Sequence, residues 1–300
     1  MSDLPVLDRP TLSAKLLNQW IRDAEALTGA GERRIGWLLA STVVVAALQR
    51  ALGADNAPLF LVKGGVYMEL QLGLQARATK DIDTLFRGTV AEFNQALGEV
   101  LAEPWGPFTL QATEAEEITN AKRLIKPCRF DVRLIVRGAI WRKVQVEVSF
   151  PEGHIAERTQ PVAAPSISFF GVAAPEQLVG IVMDYQVAQK GHACSDPDDP
   201  PAFENDRVRD VIDLCLLKKH FYDGSELGGL RAACLDVFDA RATEAAQLGL
   251  EPRAWPPTIT ANDTWRSQYP KFAAEVGLGL TLEEAIAEIS QWIVDIDQAN

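Results

Sequence analysis

The stretches Leu61-Val-Lys-Gly-Gly-Val66 and Thr79-Lys-Asp-Ile-Asp-Thr84 decide how this chain folds. Apolar residues before the glycines predict one short strand, the run Ile82–Phe86 predicts a second, and a helical pattern lies between them. On a strand, alternate side chains share a face, so Asp81 and Asp83 are expected to lie close together. Two crowded carboxylates repel each other unless a cation relieves them. Since Mg²⁺ takes one or two carboxylates together with substrate phosphates, the pair predicts a magnesium site.

The Gly64-Gly65 turn is the second feature of this strand–helix–strand unit. Two residues without Cβ atoms at the start of a helix leave room for a triphosphate to approach backbone N–H groups. Taken alone, a Gly-Gly turn is ordinary, and an Asp-x-Asp pair is most often a solvated surface feature. Their combination in one unit favours a site for a nucleoside triphosphate and Mg²⁺.

A third carboxylate is expected on a later strand, Val144-Gln-Val-Glu-Val-Ser149. Here Glu147 shares a face with Gln145 and Ser149, while the valines form the buried face. A third carboxylate beside the first two would complete a two-metal site, in which one ion activates the attacking hydroxyl and the other holds the leaving phosphates. The alternative is an exposed glutamate on a strand.

The predicted organisation is an α/β first part, residues 1–164, and a mostly helical second part, residues 165–300. The element predictions of the second part begin with a strand at Ile167–Val172 and a helix at Pro175–Gln189. A loop at Asp196–Pro201 and a Pro- and Trp-rich connection at Pro252–Pro270 interrupt the helices that follow.

Composition points to a protein of the cytoplasm. The 300 residues are 47% hydrophobic, and the four cysteines are scattered as reduced thiols would be. The start, Met1 to Pro5, has no basic segment leading into an apolar run. The most apolar stretch, Trp37–Leu48, is far shorter than the roughly 20 residues of a membrane span, so it predicts a buried helix.

The charge is uneven as well as negative. A net charge of −12 argues against a protein that coats nucleic acid non-specifically. The segment Lys122–Lys143 nevertheless carries eight cations opposed only by Asp131, whereas Thr281–Asn300 is purely acidic. We therefore expect one strongly basic face on an acidic molecule.

At this point the sequence resembles a known family. The order Lys63-Gly-Gly65, Lys80-Asp-Ile-Asp83, Gln189-Lys190 and Arg209-Asp-Val-Ile-Asp213 resembles the AbiEii/MenT-type nucleotidyltransferase toxins. The resemblance implies a polymerase-β-like nucleotidyltransferase core with a mostly helical C-terminal part. MenT-type members transfer nucleotides to the 3′ acceptor end of tRNA, which blocks aminoacylation, and an antitoxin encoded beside each one neutralises it.

The resemblance also implies roles for single residues. Asp81 and Asp83 would bind the metal, Lys190 would contact the nucleotide, and Asp213 would be catalytically essential. Nucleotide-binding positions would be Lys63, Gly64, Gly65, Lys80 and Lys190. The residues themselves allow simpler interpretations: Lys190 could be a cation favoured by a helix C-terminus, and Arg209 and Asp213, four apart on a helix, could be a plain salt pair.

Two other functions remain open. One is a nucleotidyltransferase that acts on a small molecule or on a protein hydroxyl, which the basic segment disfavours because a small neutral acceptor needs no such charge. The other is a binding module that has lost activity, which the intact charged motifs disfavour.

Overall fold

A mixed eight-stranded sheet forms the centre of the computed structural model, which describes residues 13–29 and 34–299. Apolar residues at three- and four-residue spacing predict the first two helices at Leu12–Leu27 and Arg33–Leu52. Their first residues lie outside the described residues, as do the segment Met1–Pro5 and the last residue, Asn300. The strands are β1 (Phe60–Lys63), β2 (Asp81–Phe86), β3 (Phe108–Ala112), β4 (Glu116–Glu117), β5 (Cys128–Val136), β6 (Ala139–Ser149), β7 (Thr159–Val162) and β8 (Leu178–Ile181).

The strand order is β3-β5-β6-β2-β1-β8-β7, and β4 pairs with β5. The pairs β2–β6 and β1–β8 are parallel, and the others are antiparallel. The tight turn between β5 and β6 uses Arg137 and Gly138, both with positive φ, as a two-residue hairpin requires.

Among the described residues, four α-helices accompany the first part of the chain and five follow the last strand. The helices at Val90–Ala102 and Leu282–Asp297 begin with a capping box, Thr89 with Glu92 and Thr281 with Glu284, which satisfies the first free N–H groups. The helices are α1 (Ala14–Thr28), α2 (Arg34–Leu48), α3 (Gly64–Leu72), α4 (Val90–Ala102), α5 (Met183–Cys194), α6 (Val208–Phe221), α7 (Gly228–Gln247), α8 (Asp263–Glu275) and α9 (Leu282–Asp297).

The two faces of the sheet enter different hydrophobic clusters. Ile82 and Phe86 of β2 pack with α1, α2 and α4 in the first cluster. Leu85, on the opposite face, packs with the C-terminal helices in the second. Because Asp81 and Asp83 alternate with Ile82, they lie on the face of Leu85, beside the C-terminal helices. The sheet thus places the two carboxylates between the α/β part and the helical part.

The α/β class and the mostly helical C-terminal part are confirmed. The division at residues 164 and 165 stays a prediction, and the sheet continues past it, because β8 pairs with β1. No helix among residues 13–29 and 34–299 combines the length and the apolarity that crossing a bilayer requires.

Two element predictions near the middle of the chain are wrong. The predicted strand Ile167–Val172 is a 3₁₀ turn at Ser168–Phe170, whose phenylalanines are buried without strand pairing. The predicted helix Pro175–Gln189 is instead the strand β8 followed by α5. Short apolar runs do not distinguish a strand from a buried helix. Glycine at position 180 lets β8 pack closely against α3, because a Cβ there would lie 2.8 Å from the ring of Tyr67.

The connection predicted at Pro252–Pro270 also contains a helix. The Asn262 side chain caps α8 by accepting from the N–H of Trp265, and Pro270 lies inside the helix. An interior proline removes one helical hydrogen bond. Burial of Trp265, Tyr269 and Phe272 compensates, because each large aromatic side chain contributes about 1.5–3 kcal/mol when it leaves water.

Candidate active site

Four strands bring one row of charged residues together. In the register of the sheet, Lys63 of β1 lies opposite Asp83 of β2, Asp83 lies beside Glu147 of β6, and Glu147 lies opposite Arg129 of β5. The row therefore runs cation, anion, anion, cation across the sheet. Asp81 lies two residues from Asp83 on the same face. The fold thus brings Lys63, Asp81, Asp83 and Glu147 onto one face of the sheet, and their roles stay predictions.

The turn between β1 and α3 requires glycine for two reasons. Gly64 has a φ of +63°, and a Cβ there would lie 2.1 Å from Oδ2 of Asp83. Its N–H donates to Oε1 of Gln186 at 3.0 Å, so this donor has a protein acceptor. The phosphate-binding role of Gly64 and Gly65 stays a prediction. The structure gives a further reason for glycine at position 64, which is the close approach of its backbone to the side chain of Asp83.

The two aspartates of β2 repel each other. Burial is the main cause that raises the pKa of Asp83, and the carboxylate of Glu147 adds to it, while Lys63 and Lys190 oppose it. Burial and the neighbouring Asp83 raise the pKa of Asp81. Crowded, partly desolvated carboxylates of this kind favour a bound cation. The donor set Asp81 and Asp83 therefore fits Mg²⁺, an ion that prefers oxygen ligands.

Glu147 does not join Asp81 and Asp83 in a ready-made metal cluster. Its Oε1 accepts from Nη2 of Arg129 at 2.6 Å and from Nε at 3.0 Å. Over the two described ranges, no three acidic, histidine or cysteine side chains lie together as a set that could hold a metal ion. The role of Glu147 as a third ligand stays a prediction that requires release from Arg129.

A buried ion network joins the loop before β2 to the C-terminal helices; it consists of Arg77, Lys190, Asp210 and Asp213. Nζ of Lys190 lies 2.7 Å from Oδ1 of Asp210 and 2.7 Å from Oδ2 of Asp213. Arg77 binds Asp213 in a bidentate manner, with both distances 3.0 Å. Burial alone would lower the pKa of Lys190, but Asp210 and Asp213 outweigh it and raise the pKa.

The network corrects the two simpler interpretations of the sequence. Lys190 lies inside α5, buried, and its partners are side chains of α6 rather than a helix end. Arg209 does not pair with Asp213, because its guanidinium lies over the ring of Phe272, 4.5 Å from the ring centroid. Sequence reasoning missed Arg77, whose only local signal is its position four residues before Asp81. Lys80 is exposed beside β2, and its role stays a prediction.

The basic segment Lys122–Lys143 does not form one basic face, so that prediction is wrong. Arg123 is buried between Glu152 and Glu244, at 3.3 and 2.6 Å. Arg142 turns to the other side of the sheet, where its guanidinium fills the space beside Gly36 of α2. The cations divide because β-strand side chains alternate between the two faces.

A second buried cluster surrounds Glu152, which follows β6. Arg241 and Arg123 pair with its carboxylate, and Gln189 of α5 donates to it at 2.6 Å. Burial alone would raise the pKa of Glu152, but the two arginines hold it at about 2. The cluster ties the end of β6 to α5 and α7. Burial lowers the pKa of Lys63, and the carboxylates of Asp83 and Glu152 partly oppose this.

The family model described as "Nucleotidyl transferase AbiEii toxin, Type IV TA system" matches residues 46–292. Among solved structures, the chain is similar to JHP933 from Helicobacter pylori, with 15% identity, 89% of this chain and 93% of that chain covered, and a TM-score of 0.43. It is also similar to the MenT4 nucleotidyltransferase toxin Rv2826c from Mycobacterium tuberculosis H37Rv, with 14% identity, 95% and 99% covered, and a TM-score of 0.46. Comparison with curated protein sequences gave no match.

The family match spans most of the chain and includes the charged row of the sheet and the buried ion network. The chain therefore belongs to the AbiEii family of nucleotidyl transferase toxins.

Proposed function

We propose that this toxin-family nucleotidyltransferase transfers nucleotides from a nucleoside triphosphate to the 3′ acceptor end of tRNA, which blocks aminoacylation and translation. The observation that carries the transferase chemistry is the row in which Asp83 lies between Lys63 and Glu147, with Asp81 on the same face. Carboxylates for a metal and cations for phosphates then stand side by side, as transfer of a nucleotidyl group requires. The family assignment supports the same activity.

In this proposal Asp81 and Asp83 hold Mg²⁺. The bound ion supplies charge neutralisation on the phosphates and activation of the acceptor hydroxyl. The hydroxyl gives up its proton to solvent as its oxygen forms a bond to the α-phosphorus, the bond from the α-phosphorus to the bridging oxygen of the β-phosphate breaks, and pyrophosphate leaves with the electron pair of that bond. Most of the protein's contribution is positioning and electrostatic stabilisation, since the phosphoryl group needs no covalent help.

Lys190 is the cation that the ion network positions for the triphosphate. A lysine ammonium has three N–H donors. Two are directed to Asp210 and Asp213. Because the charge of Lys190 also acts on Asp83, the proposal assigns the third to a phosphate bound beside Asp83. Asp213 is fully buried and holds Lys190 in place. In this proposal Asp213 acts through Lys190, without contact to the substrate.

Nucleotide transfer in vitro tests the acceptor. Purified protein, Mg²⁺ and each labelled nucleoside triphosphate are incubated with total tRNA, with a protein mixture or with an aminoglycoside. We expect label in tRNA alone and none with Asp81→Asn, while Asp239→Asn, an exposed aspartate on α7, behaves like the wild type. Label in protein or in the aminoglycoside would overturn the tRNA assignment, and absence of label from all three would overturn the transferase.

The toxin part of the proposal predicts a cytoplasmic protein with a cognate antitoxin. An enzyme that modifies tRNA in its own cell requires an inhibitor. Expression of the wild-type chain should arrest bacterial growth, Asp213→Ala should not, and co-expression of the neighbouring gene should restore growth. Normal growth with abundant soluble wild-type protein, in a host whose tRNA it modifies in vitro, would overturn the toxin role.

A further inference from the structure

The face of the sheet that carries Asp81 and Asp83 extends beyond them as an exposed surface. We call this the open face, defined by the side chains Arg129, Asp131 and Arg133 of β5, Lys143 of β6 and Gln111 of β3. These residues alternate with buried ones that enter the first hydrophobic cluster on the other side. Arg129 and Lys143 expose 48% and 60% of their side chains, and Arg133 is exposed too.

The open face is continuous with the active-site row. Gln145 lies beside Asp81 and opposite Asp131, and the next row pairs Lys143 with Arg133. Successive rows on one face are two residues apart, or about 7 Å. Arg133 and Lys143 therefore lie about 7 Å along the strands from the row of Asp81 and about 13 Å from the row of Asp83.

The Arg133–Lys143 row carries positive charge that the protein does not fully balance. Lys143 pairs with Asp131 at 2.8 Å, and Arg129 pairs with Glu147. Arg133 forms no ion pair with any residue in 13–29 or 34–299 and lies directly opposite Lys143. Like charges directly opposite each other on a sheet are destabilising. An anion over this row would remove the repulsion.

The net charge of −12 makes this row more significant. A polyanion is repelled by most of the molecule, so the unpaired cation Arg133, with Lys143 directly opposite it, directs its approach to the nearby carboxylates Asp81 and Asp83. Small phosphates and nucleotides would not need cations at this distance from Asp83. A polynucleotide would, because its backbone continues away from the reacting end as a series of phosphates.

From this geometry we infer that the open face binds the last phosphates of the RNA acceptor strand at Arg133 and Lys143 and so directs its 3′-hydroxyl to Asp81 and Asp83. This inference rests on the proposed function and adds the docking surface to it. The occupant is the single-stranded 3′ end, since the phosphates of an extended strand can follow the exposed side chains from one row to the next.

Binding of total tRNA, measured by fluorescence anisotropy over a range of salt concentrations, tests the surface separately from catalysis. The plot of log affinity against log salt has a negative slope, and each lost phosphate contact reduces the magnitude of that slope by roughly 0.7 for single strands. We expect Arg133→Gln with Lys143→Gln to reduce the slope by about 1.4 and to weaken binding roughly tenfold at low salt. Arg22→Gln is the matched control, an exposed arginine on α1, which packs against the opposite face.

The outcomes separate the inference from the proposed function. Thermal melting of the double variant should stay close to that of the wild type, because loss of the Lys143–Asp131 ion pair offsets relief of the repulsion between Arg133 and Lys143. The KM for the nucleotide should stay unchanged, while the KM for tRNA rises. Wild-type transfer to tRNA with an unchanged slope and KM in the double variant would overturn the open face and leave the function standing. No binding of tRNA by the wild type would overturn the inference, and no transfer to tRNA would overturn the function.

Discussion

Arg77 and Asp213 form a bidentate ion pair in which Nε lies 3.0 Å from Oδ1 and Nη2 lies 3.0 Å from Oδ2. The residues are 136 positions apart, so the pair fastens the loop before β2 to helix α6. The Asp213 side chain is 1% exposed and also binds Lys190. One buried carboxylate therefore sets the positions of two cations, one from each part of the molecule.

Arg77→Ala should destabilise the fold and abolish transfer. Removing one partner of a buried ion pair leaves an uncompensated charge and costs about 3–5 kcal/mol. Because Lys190 still neutralises part of Asp213, we expect a loss near the lower end, roughly 3 kcal/mol, in the free energy of unfolding measured with urea. Arg77→Lys keeps the charge without the bidentate geometry. Its free energy of unfolding should therefore lie between those of Arg77→Ala and the wild type.

Arg209→Ala is the control for this network. Arg209 is exposed and contacts the ring of Phe272, and exposed cation–π contacts contribute only about 0.5–1 kcal/mol. The free energy of unfolding should therefore fall several times less in Arg209→Ala than in Arg77→Ala. Equal losses in the two variants would contradict the assignment of Arg77 as the partner that holds Asp213.

Asp81→Asn and Asp83→Asn should both abolish transfer but should differ in stability. Neutralising Asp81 removes repulsion with Asp83, so the melting temperature without Mg²⁺ should rise slightly. Asp83 also balances the buried charge of Lys63, so its neutralisation should not raise stability. Mg²⁺ should raise the melting temperature of the wild type by binding the folded state, and that shift should vanish in Asp81→Asn. An equal shift in both proteins would argue against Asp81 as a ligand.

Local patterns made the carboxylate pair predictable. Alternation placed Asp81 with Asp83 and Gln145 with Glu147 on shared faces, because the side-chain period of a strand depends only on neighbouring residues. The Gly64-Gly65 turn was predictable for the same reason. Whether Lys63, Asp83 and Glu147 lie next to one another depends on the order of the strands in the sheet. The sequence implied that order only through its resemblance to a known family.

Contacts between distant segments were not predictable from one sequence. Nothing near Arg77 indicates Asp213, and the helical spacing of Arg209 and Asp213 suggested a pair that the packing of α8 prevents, since Phe272 contacts Arg209 instead. The basic segment misled in a similar way. A count of charges along the chain ignores the alternation that separates Arg133 from Arg142 and the burial that removes Arg123 from solvent.

Gly64→Ala should abolish transfer through the position of Asp83. An alanine at positive φ costs about 1–2 kcal/mol. At Gly64 the added methyl would also lie 2.1 Å from Oδ2 of Asp83, so the carboxylate or the turn must move.

Gly249→Ala separates the two effects, because Gly249 has a φ of +69° with nothing within 4 Å of the added Cβ. It should lose about the same strain energy and keep full transfer, measured as label incorporated per enzyme. Retained transfer in Gly64→Ala would contradict the close approach.

Glu69→Gln should change how the stability of the protein depends on pH. Glu69 is buried in α3, where Nε1 of Trp37 donates to its Oε2 at 2.8 Å and Nε of Arg34 lies 4.0 Å from Oε1. Burial raises the pKa of Glu69 from 4.5 to about 7, and Trp37 and Arg34 only partly oppose this.

Between these values the folded state binds more protons than the unfolded state, so this group makes the free energy of unfolding fall as pH rises from about 4.5 to 7. Glutamine cannot ionise, so the variant should lose that slope and gain up to about 3 kcal/mol on the wild type between pH 5 and pH 8. Urea unfolding of both proteins at unit pH steps measures the difference, which is insensitive to other titrating groups because they are common to both. Parallel curves would mean that Glu69 stays ionised in the fold, held by Arg34.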